Sequence, residues 1–209
     1  MTGEPEPIAG SRAGVLVLAS GSATRALLLR RAGVPFRQEP ARIDEAAARE
    51  RLRQAGAEAL AAALELARIK AAAVASRHPA ELVLGADQLL YCGGVWFEIP
   101  ASRAAARDQL LTLSGQRHRL ATAVVLLRNG AVSWSHVEEP ELAMRKLSPA
   151  LVDAYLDAAG EAALFCVGAY QVEGLGAQLI ESLTGGVFAA LGLPLLPLLS
   201  ALRREGMLP

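Results

Sequence analysis

Val15 to Leu18 is an apolar run that stops at the small residues Ala19-Ser20-Gly21-Ser22. Apolar positions at helical spacing follow from Thr24 to Ala32, so the pattern predicts a buried strand, a tight loop and a helix. Gly33 is placed to cap that helix, and Val34-Pro35-Phe36 leads into a short extended segment. Ala46 to Ser76 is alanine-rich and helical, and Gly56 divides it in two. In the second helix Leu60, Leu64, Ala67 and Ala71 are expected to form the apolar stripe, with Lys70 beside it. Glu81 to Tyr91 is the second strong strand, apolar from Leu82 to Leu90 except at Gly85, Asp87 and Gln88. Cys92-Gly93-Gly94-Val95 turns it into a hairpin that returns through Trp96 and Phe97 and ends at Pro100.

The second half alternates in the same way. Ser102 to Leu113 reads as an amphipathic helix closed by Ser114-Gly115. Arg119 to Leu127 and Ala131 to Val137 form a hairpin across Arg128-Asn129-Gly130. Glu141 to Leu147 reads as a strand, and Ser148-Pro149 opens a helix that stops at Gly160. Val167 to Gly174 is framed by glycines, which serve either close approach to a ligand or ordinary turns. Gln178 to Leu183 is amphipathic, Gly185-Gly186 is a break, and a last helix runs from Pro194 to Arg204. Helices interleaved with strands and hairpins predict an α/β fold with a mixed sheet.

Composition narrows the class. A chain of 209 residues with 53% hydrophobic positions can bury a sizeable core in one or two lobes. Only 4% of residues are aromatic, so alanine and leucine carry the apolar load, which favours helix-rich packing. With 21 basic and 21 acidic residues the net charge is zero, so no broad nucleic-acid or membrane footprint is expected, although a local positive pocket remains open. Cys92 and Cys166 lack a C-x-x-C partner and are expected to be buried free thiols in a reducing cytoplasm. Residues 1–14 are polar and read as a loose tail, not a secretory signal. Val187 to Leu202 is apolar but contains Pro194 and Pro197, too short and interrupted to span a bilayer.

Four places carry candidate chemistry. The Ser20–Arg25 loop opens a helix N-terminus, where free N–H groups and the dipole favour an anion, phosphate above all. Ser20 and Ser22 add hydroxyls and Arg25 a fixed charge, unless Ser22 is only an N-cap and Arg25 only a solvated helix residue. Asp44 and Glu45 precede a helix and suit capping and dipole complementation. Lys70 reads as a snorkelling lysine with its amine in water. Asp87, a carboxylate inside an apolar strand, needs a partner. Gly85 and Ala86 are expected to leave room for a metal or phosphate beside it, and a buried ion pair is the alternative. His118 and His136 have no second ligand at metal spacing and read as ordinary strand-end histidines.

In order along the chain, these segments resemble the Maf family of nucleoside triphosphate pyrophosphatases, from about Val15 to Arg204. The carriers are Leu18-Ala19-Ser20-Gly21-Ser22-Ala23-Thr24-Arg25, the acidic pair Asp44-Glu45, and Ala67-Arg68-Ile69-Lys70-Ala71. To these are added Gly85-Ala86-Asp87, Leu113-Ser114-Gly115-Gln116-Arg117-His118, Gly168-Ala169-Tyr170 and Leu191-Gly192-Leu193-Pro194. The chain departs from the family at Thr24 and Ile99, where an arginine and a lysine are usual, and at Gly186 and Glu173, where aspartate and glutamine are usual.

The resemblance implies a two-lobed α/β fold over residues 15–209, with an elongated mixed sheet flanked by helices and a cleft between the lobes. It implies hydrolysis of pyrimidine or modified nucleoside triphosphates to the monophosphate and pyrophosphate, with Mg²⁺ or Mn²⁺. Ser20, Ser22 and Arg25 would hold the triphosphate and Lys70 would neutralise its charge. Asp87 and Glu45 would hold the metal or orient water, with Asp87 as proton acceptor, and Gln88 and Glu173 match positions linked to base choice. Family members are often dimers, which leaves a homodimer open without the sequence deciding it. The alternative function is a degenerate member that binds nucleotide without turnover and acts as a regulatory or interaction protein, motivated by Ile99. A dinucleotide-binding enzyme is set aside, because no G-x-G-x-x-G follows a strand.

Overall fold

The first apolar run becomes β1, Leu16–Leu18, with all three side chains fully buried. In the computed structural model, which describes residues 15–209, β1 lies parallel to β2, Phe36–Gln38, and to β3, Leu82–Cys92. The tail expected over residues 1–14 lies outside the described residues. Between these strands come three helices: α1 (Ala23–Arg31), α2 (Glu45–Gln54) and α3 (Ala59–Ala75). The hairpin at Cys92 forms as expected, with β4, Val95–Phe97, antiparallel to β3. After α4, Arg103–Leu113, come β5 (Arg117–Arg128), β6 (Ala131–Glu138) and β7 (Glu141–Met144), with β6 and β7 both antiparallel to β5. Then follow α5 (Pro149–Ala159), short 3-10 turns, β8 (Ile180–Thr184), α6 (Val187–Ala190) and α7 (Leu195–Arg204). The strands make one mixed eight-stranded sheet, ordered β2-β1-β3-β5-β7-β8 with β4 on β3 and β6 on β5. Among the described residues no helix is long and apolar enough to cross a membrane.

Two compact units are drawn from interleaved stretches of chain. The first takes the described part of Met1–Gln88 with Thr122–Glu138 and Gly192–Pro209. Its centre is the α3 face against β3. The buried stripe is Ala62, Ala63, Leu66, Ala67, Ala71 and Val74, so Leu60 and Leu64 are only half-buried, contrary to the expected stripe. Small side chains win because the helix is pressed close to the strand. A Cβ on Gly85 would meet the Ala67 carbonyl oxygen at 2.1 Å and the Ala71 Cβ at 2.8 Å. Lys70 shares this stripe and is 6% exposed, so its amine is not in water as a snorkelling lysine's would be.

The second unit takes Leu89–Ala121 and Glu139–Leu191. Its core gathers Leu90, Leu110, Leu113, Leu142, Met144 and Leu156 with the rings of Tyr155 and Tyr170. The strand expected to reach Leu147 ends at Met144, because Leu147 N turns to the Ser114 hydroxyl at 2.7 Å and Ser148 caps α5. Gln178 to Leu183 is divided between a 3-10 turn and β8. The thiols of Cys92 and Cys166 are free but half-buried, not fully buried.

His118, inside β5, is 1% exposed and shares a 2.5 Å hydrogen bond between its Nε2 and the Tyr170 hydroxyl. Burial pushes this imidazole down from 6.5 to about 4, opposed by the charge of Glu141. The unfolded chain therefore takes up this proton at a higher pH than the folded one. Stability is lost as pH falls from 6.5 towards 4, by up to about 3 kcal/mol. Urea midpoints measured across this window should fall for the wild type and flatten in His118→Gln. An equal slope in both would remove His118 as the cause.

Candidate active site

Of the eight residues to which the family resemblance gives a role, seven lie in the first unit. Ser20 follows β1, which is aligned on β3 by the bond from Ala19 N to Leu84 O at 2.8 Å. The Ser20 hydroxyl oxygen accepts from Ser22 N at 3.3 Å and from Arg25 Nη1 at 3.0 Å. Ser22 is the N-cap of α1, its Oγ accepting from Arg25 N at 3.3 Å. The capping reading of Ser22 is therefore observed, and its hydroxyl stands at the same helix N-terminus where an anion would sit.

Arg25 is not a solvated helix residue. Its Nε donates to Gly192 O at 2.8 Å and its Nη1 also donates to Ala86 O at 3.1 Å. One guanidinium thus ties the loop, β3 at the residue before Asp87, and the turn before α7. Burial pulls its pKa below the usual value, and the charges of Asp87 and Glu45 pull it back. Nη2 makes no hydrogen bond among the described residues, so one edge of the fork has no protein acceptor.

The acidic pair divides its work. Asp44 caps α2, accepting from Ala47 N at 2.9 Å. Glu45 instead reaches Lys70, Oε2 to Nζ 2.6 Å. The same ammonium lies 2.6 Å from Asp87 Oδ1. Lys70 and Asp87 side chains are 8% and 4% exposed, while Glu45 is 45% exposed. The ion-pair reading of Asp87 is therefore observed. The room expected beside Gly85 is occupied by the backbone of α3. Asp87 Oδ2, however, is buried and has no hydrogen-bond partner. A buried carboxylate oxygen without a donor is costly, and it is the acceptor in this cluster still waiting for a donor or a cation.

Strand alternation turns Gln88 to the face of β3 opposite Asp87. Its Nε2 donates to Thr122 Oγ1 at 2.9 Å, and a Cβ on Gly192 would lie 3.8 Å from its Oε1. Glu173 belongs to the second unit, exposed between two 3-10 turns. Three contributors were not singled out from sequence. Gln38 Nε2 donates to Ser20 O at 2.8 Å and steadies the loop. Thr122 orients Gln88, and Gly192, with φ +89°, leaves its carbonyl to Arg25. The Leu-Gly-Leu-Pro signature around Gly192 was the available signal; Gln38 and Thr122 sit in strands where nothing marks them.

A family model described as "Maf-like protein" matches residues 15–205. A nucleoside triphosphate pyrophosphatase of Paramagnetospirillum magneticum is 48% identical over 192 residues, covering 92% of this chain and 99% of that one. One of the same description from Rhodospirillum rubrum is 45% identical, covering 92% and 96%. A 7-methyl-GTP pyrophosphatase of Rhizobium etli is 47% identical, covering 91% and 96%.

Proposed function

The chain belongs to the Maf family, and on that premise we propose that its Lys70 cluster hydrolyses nucleoside triphosphates to the monophosphate and pyrophosphate. The carrying observation is one buried ammonium held 2.6 Å from both Glu45 and Asp87, beside a serine-lined helix N-terminus. In this reading the α1 N-terminus, Ser20, Ser22 and the open edge of Arg25 bind phosphate oxygens. Lys70 neutralises the charge that grows as the bond between the α and β phosphates breaks. Asp87 takes the proton of the attacking water. Gln88 faces the base, while Glu173 enters the proposal on the family resemblance alone.

Residue chemistry fits a divalent cation. The orphaned Oδ2 of Asp87 and the half-exposed Glu45 offer hard carboxylate oxygens, and Mg²⁺ or Mn²⁺ suits one or two carboxylates completed by phosphates and water. Among the described residues no group of three or more His, Cys, Asp or Glu could hold a metal, so the protein alone does not complete the shell. When bound, the ion supplies charge neutralisation and a lowered pKa for water.

The substrates proposed are pyrimidine or modified nucleotides, and the Rhizobium etli relative's description favours including modified ones. A panel of common, methylated and pseudouridine triphosphates and 7-methyl-GTP, assayed with Mg²⁺ and Mn²⁺, should yield pyrophosphate from at least one. No release from any member would overturn the proposal. Ile99 is 50% exposed and apolar where the family resemblance leads one to expect a lysine, which favours a second reading as a nucleotide-binding protein without turnover. Calorimetric binding of a triphosphate with no pyrophosphate would select it. Assembly as a homodimer is the last part of the reading, tested by light scattering on a sizing column.

A further inference from the structure

The charge balance around Asp87 has a consequence for binding order. Four ionic groups influence one another here: Lys70 pairs directly with both carboxylates, and Arg25 acts on them through space. Arg25 and Lys70 carry the positive charges, and Glu45 and Asp87 the negative ones. Three of the four are nearly buried, with Arg25 at 9%, Lys70 at 6% and Asp87 at 3% exposure. The cluster is therefore neutral before any ligand arrives, in a place where water screens little. Lys70 fills the position between the two carboxylates that a cation would otherwise take.

We propose that Lys70 is a resident counter-cation that keeps the Glu45–Asp87 pair from binding divalent metal until a polyphosphate supplies negative charge to offset it. This rests on the pyrophosphatase reading of the same cluster. A triphosphate at the α1 N-terminus gives the Lys70 ammonium a second set of anionic partners and leaves the local charge strongly negative. The carboxylates then become good cation ligands. Nucleotide and metal thus bind with positive coupling, each raising the affinity of the other by the same factor. The arrangement keeps the empty enzyme from holding metal and favours entry of both together.

The test is Mn²⁺ binding followed by electron paramagnetic resonance, with no nucleotide present. Lys70→Met, which keeps most of the apolar stem, should bind Mn²⁺ at least about tenfold more tightly than the wild type, because one buried positive charge is gone. A non-hydrolysable triphosphate with a methylene between the α and β phosphates should tighten Mn²⁺ binding to the wild type and do so far less in Lys70→Met. Glu45→Gln, at the exposed end of the cluster, should abolish the gain when combined with Lys70→Met, which assigns the metal to this pair. If Lys70→Met destabilises the fold in melting curves, Lys70→Gln is the replacement to measure. Equal or weaker Mn²⁺ binding in folded Lys70 variants overturns the proposal, even where the wild type releases pyrophosphate. Absence of pyrophosphate from the wild type, with tighter Mn²⁺ binding in Lys70→Met, would instead overturn the catalytic reading and leave the counter-cation role standing.

Discussion

Asp87→Asn is expected to lower pyrophosphate release by about a thousandfold or more, with triphosphate affinity changed only a few-fold. A positioned general base is worth on the order of 10² to 10⁴ in rate, and the same change weakens one of the two carboxylates proposed to hold the cation. Asparagine keeps the shape, so its amide oxygen can go on accepting from Lys70 Nζ at the place Oδ1 now holds, 2.6 Å away. What it cannot do is carry the negative charge or take a proton. The elements proposed to bind phosphate are elsewhere: the α1 N-terminus and Ser20 make no hydrogen bond to Asp87. The loss should therefore appear in kcat and much less in KM. The variant pays for one uncompensated charge in a buried site, of the order of 3 kcal/mol, so its melting temperature must be recorded beside its rate. A folded Asp87→Asn protein within tenfold of the wild-type kcat would remove Asp87 as the base.

Local patterning made most of this fold legible. The strand–loop–helix at Ser20, the Asn129-Gly130 hairpin and the caps at Ser102 and Ser148 all depend on nearest neighbours along the chain. The exposures of α3 were harder. Hydropathy ranks leucine above alanine, yet Leu60 and Leu64 are left half-buried and Ala62, Ala63 and Ala67 are buried. The deciding fact is the approach of α3 to Gly85, a tertiary distance that no window of sequence contains. The candidate site divides along the same line. An aspartate within an apolar strand signals that a partner exists, and Lys70 on an alanine face is the natural candidate once helix and strand are packed. That Glu45 joins them while its neighbour Asp44 caps a helix depends on where α2 is set against α3. Arg25 shows the opposite limit. Its presence in the first helical turn suggested a ligand for phosphate, but the carbonyls of Ala86 and Gly192 that accept from it come from chain segments far away in sequence. Its side chain does structural work with two nitrogens, Nε and Nη1.

Gly85→Ala should be strongly damaging, because the space beside Gly85 is filled by α3. The added Cβ would lie 2.1 Å from the Ala67 carbonyl oxygen, 2.8 Å from the Ala71 Cβ and 3.0 Å from Ala71 N. Two of those three atoms are backbone, so no rotamer change relieves them. α3 must retreat by about an ångström to restore ordinary contact, and overpacking of this kind costs about 3 kcal/mol or more. Lys70 sits one turn beyond Ala67 on the same helix and moves with it. Its 2.6 Å contacts to Asp87 and Glu45 lengthen, and a misplacement of about an ångström in a catalytic group is worth about a hundredfold in rate. The variant should therefore melt several degrees lower and lose about two orders of magnitude in kcat. Adding Ala71→Gly removes only the 2.8 Å clash and leaves the carbonyl, so it should recover part of the stability and little of the rate. Gly56→Ala is the control. Gly56 has φ +69° but nothing within 4 Å of its added Cβ, so it should cost about 1 kcal/mol of backbone strain and leave kcat unchanged. If Gly85→Ala behaves like Gly56→Ala, α3 is not seated on β3 as described, and the contact that brings Lys70 to Asp87 must have another origin.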